Sequence, residues 1–133
     1  MRNQTRKTKT NKLIQIILIL LLAEKIIQHA LTAIAFFFDI PGVGAPDIGA
    51  RFDLSDPVMG VSNAVLVILF GGAIWGFAAD KQWSRTLIFL LAAFDIAAEF
   101  VFHGFFFITF SVLGATILIL LLLIYPVGNS LAA

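Results

Sequence analysis

Residues 85–125 read RTLIFLLAAFDIAAEFVFHGFFFITFSVLGATILILLLLIY, and no polar loop interrupts them. As one helix the stretch would measure about 60 Å, twice the ~30 Å hydrocarbon core of a bilayer. It must therefore fold back on itself. The break falls near Gly104, between His103 and Thr109, and yields two helices over about 84–104 and 106–125, the second stopped by Pro126.

Working outward, DKQWS at 80–84 is a polar turn in which Ser84 can cap the following helix. Before it lies an apolar segment, 57–79, with Pro57 placed as a first helical residue behind Ser55 or Asp56. Gly72 and Gly76 within it form a small-xxx-small pair that lets another helix approach closely. The stretch DIPGVGAPDIGARFDLSDP at 39–57 holds three of the four prolines, three glycines and four aspartates. That density of breakers makes 39–56 a loop. The run 13–38 is apolar again, too long for a signal peptide, and follows a basic tail, MRNQTRKTKTNK, at 1–12.

The expected architecture is thus all-α: a four-helix transmembrane bundle over 13–126 with spans at about 13–38, 57–79, 84–104 and 106–125, and a short tail at 127–133. Composition agrees, with 60% hydrophobic residues and a mean hydropathy of +1.00, against the ~45–50% apolar content of soluble domains. The tail and the 80–85 turn hold seven of the nine Lys and Arg residues. The excess of Lys and Arg on cytoplasmic flanks therefore predicts N-in, C-in topology, with 39–56 extracytoplasmic. Trp75 and Trp83 fit the inner interfacial belt. The expected localisation is integral and multi-pass, in the cell membrane.

The chain has no cysteine, which excludes disulfides, thiolate metal sites and cysteine nucleophiles. The net charge of +1 gives no bulk field for nucleic acid. No phosphate-binding glycine loop and no Ser/His/Asp frame is present.

The chemistry concentrates in two helices. Asp95, Glu99 and His103 stand four apart, forming a stripe on one face of the third helix. Ionisable groups at bilayer depth are costly, about 3 kcal/mol each on insertion scales, so they face an interior, a cavity or a partner. The first helix offers Glu24, Gln28 and Thr32 on one face, and Lys25 and His29 about 100° round. The sequence predicts one polar cluster of Glu24, Gln28, His29, Asp95, Glu99 and His103, with Lys25 near or in it.

Such a cluster can bind or conduct a proton or a metal cation. For a divalent metal the candidate ligands are Glu24, His29, Asp95, Glu99 and His103, although the Glu-x-x-His spacing of di-iron bundles is missing. Haem between His29 and His103 is disfavoured by their difference in depth. The alternatives are a non-catalytic anchor, accessory or assembly subunit of a larger membrane complex, held by internal charge pairs, and an intramembrane metallo-enzyme. The expected partners are the lipid bilayer and either further copies of the chain or another membrane subunit. Asn63, Ser111 and Thr116 read as interhelical hydrogen-bonders rather than site residues.

Overall fold

A computed structural model describes residues 2–38, 56–103 and 110–125, with backbone only for 2–8, 56, 102 and 103. Of the expected loop at 39–56 all but Asp56, which opens the second helix, lies outside the described residues, as do the turn near Gly104 and the C-terminal tail. Four helices are present and, among the described residues, no strand: α1 (Arg2–Phe38), α2 (Asp56–Ala78), α3 (Gln82–His103) and α4 (Phe110–Ile124).

α1 begins eleven residues before the expected start at 13, so the basic tail is a helical extension of it. No Gly or Pro occurs from Met1 to Phe38, and Lys, Arg and Gln are good helix formers. Its 37 residues measure about 55 Å. Two segments, Lys9–Phe38 and Pro57–Ala78, are long and apolar enough to cross a membrane; α4 is apolar but shorter.

Each helix runs antiparallel to its neighbours. The ring of Phe37, near the end of α1, lies 3.0 Å from where a Cβ on Gly60, near the start of α2, would stand. The helices are arranged in a ring, α1 beside α2, α2 beside α3, α3 beside α4, and α4 closing more sparsely on α1. The core is built by Leu18 and Leu22 of α1, Phe70, Ala73 and Phe77 of α2, Ile88, Leu91 and Ala92 of α3, and Ala115, Leu118 and Leu122 of α4.

The α2–α3 turn closes by backbone geometry. Lys81 N–H donates to Gly76 O at 2.8 Å and Asp80 N–H to Phe77 O at 3.2 Å. These paired bonds form a Schellman cap, with Asp80 at φ 54° in the left-handed position usually given to glycine. Ser84 is not the cap expected of it. α3 starts earlier, at Gln82, and the Ser84 hydroxyl donates to Lys81 O at 2.6 Å. The two glycines of the expected small-xxx-small pair differ. A Cβ at Gly76 would stand 2.7 Å from Trp83 and 2.9 Å from Ser84, whereas one at Gly72 would meet nothing within 4 Å. Of that pair, only Gly76 is needed for a close approach.

At the same end Arg85 of α3 donates to the carbonyls of Leu122 at 2.8 Å and Tyr125 at 2.9 Å. Its guanidinium lies 5.5 Å from the centre of the Tyr125 ring. The last carbonyls of α4, which have no partner within their helix, are thereby capped by a cation.

Candidate functional site

A polar junction lies inside the bundle, on the side of the apolar core nearer the end of α1. Its centre is Lys25, which is fully buried. The residue sits one turn beyond Leu22 on the buried face of α1, so the helix that supplies the core also carries the ammonium inward. Nζ donates to Ser111 O at 2.8 Å, to Ser111 Oγ at 2.9 Å and to Gln28 Oε1 at 3.3 Å. Three acceptors match the three hydrogens of an ammonium. α4 packs against this side chain at Gly114, where a Cβ would stand in ordinary contact, 3.6 Å from Lys25 Cε.

Asp95 of α3 is the fourth neighbour of that ammonium, with Oδ2 at 3.1 Å. Its other oxygen, Oδ1, stands 3.2 Å from His29 Nε2. Asp95 and His29 are 4% and 8% exposed. Asp95 Oδ2 and His29 Nε2 make no aligned hydrogen bond, so Asp95 is held by charge and proximity more than by direction. α1 and α3 are diagonal in the ring, and these side chains span the gap between them.

The ring of His29 is fixed on two sides. It stacks on Phe70 at 5.5 Å between centroids and 18° between planes. Its Nδ1 lies 2.8 Å from Asn63 Oδ1. Asn63 Nδ2 donates to the carbonyl of Met59 at 2.9 Å, which fixes the amide with Oδ1 toward the imidazole. An amide oxygen only accepts, so Nδ1 carries the hydrogen. In a neutral ring Nε2 is then a bare acceptor, yet it faces a carboxyl oxygen. Two acceptors at that distance repel unless a proton resides on one of them. His29 Nε2 and Asp95 Oδ1 thus face each other across 3.2 Å, a gap that a shared proton fits.

The remaining expected residues divide. Gln28 takes part through its amide oxygen, and its carbonyl accepts from Thr32 Oγ1 at 2.9 Å. Glu99 lies one turn beyond Asp95 on α3 and is half-buried. Glu24, expected on the acidic side of the cluster, is exposed on the outer face of α1, its carboxylate leaning over Gly114. Neighbouring helix positions differ by about 100°, so with Lys25 turned inward Glu24 stands at the rim, on the side of α4. His103 ends α3, and its side chain is outside the described residues. Among the described residues no three His, Asp or Glu side chains gather as metal ligands. Lys25 holds the central place beside Asp95 where a metal would stand.

Two members of the junction, Asn63 and Ser111, were legible only as interhelical bonders. The signal for them was a lone polar residue near the start of an apolar helix. No protein-family model matches the chain, and neither a curated protein nor a solved structure does.

Proposed function

We propose that the chain is a multi-pass membrane protein, cytoplasmic at the end where α1 begins, which binds and relays a proton through Asp95 and His29. Several features support the membrane setting. Only 28% and 22% of the apolar windows of α1 and α2 are buried, where a soluble core helix would hide most of its surface. Large apolar side chains stand outward on all four helices, among them Leu20, Ile68, Leu90 and Leu123. Lys9, Lys12, Lys81 and Arg85 occur at one end, with the exposed Trp75 and Trp83 rings 6.3 Å apart beside them. A basic flank with an aromatic belt is the usual cytoplasmic boundary.

The observation that carries the proton reading is the imidazole whose tautomer Asn63 sets, so that Nε2 faces Asp95 Oδ1 at 3.2 Å, near enough to share a proton. Lys25 supplies a fixed positive charge next to that proton. A divalent cation is disfavoured there, because Lys25 stands beside Asp95 and, among the described residues, no third His, Asp or Glu completes a ligand set. In the relay, the proton leaves Nε2 for Asp95 Oδ1, or returns, while Nδ1 keeps its hydrogen on Asn63.

The test uses the small number of imidazoles, two in the whole chain. Nitrogen-15 labelling of histidine in proteoliposomes should show one ring with Nδ1 protonated throughout and Nε2 exchanging. Trapped-dye proton flux should fall at least tenfold in Asp95→Asn and in His29→Gln. A bare Nδ1 on His29, or flux unchanged in both variants, sinks the relay.

A second reading treats the junction as a lock in an anchor or accessory subunit. The Lys25–Ser111 bonds favour it, because they tie the sparsely packed α4 to α1. Proteoliposomes with no flux, together with variants that only lose stability, would select this reading.

A further inference from the structure

The apolar core lies on one side of the polar junction only. Leu18 and Leu22 precede Lys25 on α1, and Ile88 and Ala92 precede Asp95 on α3. Phe70 follows Asn63 on α2, and Leu118 follows Ser111 on α4. Because neighbouring helices are antiparallel, all six lie toward the basic end, and none of them exposes any surface. From Lys25 back to Leu18 this layer is about 10 Å thick.

The other side of the junction is polar. Gln28 and Thr32 continue along α1 beyond Lys25, and Glu99 continues along α3 beyond Asp95; all three are half-buried. Glu99 Oε2 is itself buried, so this carboxyl turns into the bundle. One helical turn sets the Cβ atoms of Asp95 and Glu99 about 5–6 Å apart. The buried apolar residues of α1 on this side are the small Ala33 and Ala35.

We infer that the proton of the Asp95–His29 pair enters and leaves on the extracytoplasmic side, handed on by Glu99, while the apolar layer seals the pair from the cytoplasm. The inference rests on the proton relay and the membrane setting proposed above. Protons in membranes travel along Asp, Glu, His and water. The Leu, Ile, Phe and Ala side chains of the layer carry no donor or acceptor. Glu99 gives its proton to Asp95 and takes another from water at the end where α1 terminates; Asp95 passes the first to His29 Nε2. Lys25, Asp95 and Glu99 bear one positive and two negative charges when both acids are ionised, so one bound proton neutralises the set. Glu24 is exposed at the rim and does not stand between them. Flux across the bilayer is then limited by the layer.

Proton flux in proteoliposomes tests the route. Glu99→Gln should lower it at least about tenfold, as Asp95→Asn does, and Glu99→Asp should restore part of it. The nitrogen-15 spectrum of Glu99→Gln should keep a protonated Nδ1 on His29. Loss of that signal, with no rescue by Glu99→Asp, makes Glu99 structural and overturns its role. Wild-type protein without flux, or flux indifferent to Asp95→Asn, defeats the relay and the route with it. Flux lost in Asp95→Asn but kept in Glu99→Gln overturns the route alone. Because the chain lacks cysteine, single thiols report water access from each side. With a membrane-impermeant thiol reagent, Thr32→Cys should react from the extracytoplasmic side about tenfold faster than Ala92→Cys reacts from either. Ala92→Cys reacting as fast from the cytoplasmic side, or an unreactive Thr32→Cys, overturns the sidedness.

Discussion

At the α2–α3 turn every bond is local: Lys81 reaches back five residues to Gly76, and Asp80 three to Phe77. At the polar junction Lys25 bonds to Ser111, 86 residues further along the chain. Both regions satisfy polar groups against an apolar bundle. The turn does so with its own backbone and tolerates errors one at a time. The junction does so with side chains from all four helices, so each member depends on the others. A charge there is safe only while its partners stay in place.

The largest expected effect tests that dependence. Lys25→Met alone leaves Asp95 buried without its cation and should cost about 3–5 kcal/mol of unfolding free energy. Combining it with Asp95→Val should recover most of that loss, because the buried charges disappear together. Denaturant titration in mixed micelles measures both. A double variant as unstable as the single one would show that the junction is not held by mutual neutralisation.

The local region should respond more mildly and site by site. Gly76→Ala places a methyl 2.7 Å from Trp83, and overpacking of this kind costs about 1–3 kcal/mol. Gly72→Ala, with open space around it, should instead gain up to about 1 kcal/mol from helix propensity. Equal responses at the two glycines would mean that the α2–α3 approach is looser than described.

Asp80→Gly is the smallest test. The substitution relieves a left-handed aspartate but adds freedom to the unfolded chain, so the net gain should be about 0.5 kcal/mol. A loss would mean that the Asp80 side chain contributes to the turn beyond its backbone conformation.

The same contrast explains what the sequence made readable. Helix number followed from lengths against bilayer thickness, and the turn at 80–84 from its polar residues. The pairing of α1 with α3 through His29 and Asp95 followed from helical spacing and depth. Which of Glu24 and Lys25 turns inward did not, because it depends on where α4 packs, and α4 is placed by Gly114, Ala115 and Leu118 far along the chain. The α1 extension was missed for a different reason: its basic composition marks it as exposed but says nothing against helix. Asn63 and Ser111 bore the right residue types, yet nothing local links them to His29 or Lys25.

The reach of Lys25 also sets an order of events during synthesis. When α1 leaves the ribosome, neither Asp95 nor Ser111 has been made. At about 5–20 residues per second, the 86 residues separating Lys25 from Ser111 take on the order of 5–20 s to appear. Throughout that interval the first helix carries an unanswered ammonium, and in the proposed membrane setting the insertion machinery or its water-filled passage must shelter it. A nascent chain cut short before α4 is therefore a natural target for quality control, since its earliest helix still lacks the last group that would quiet its charge.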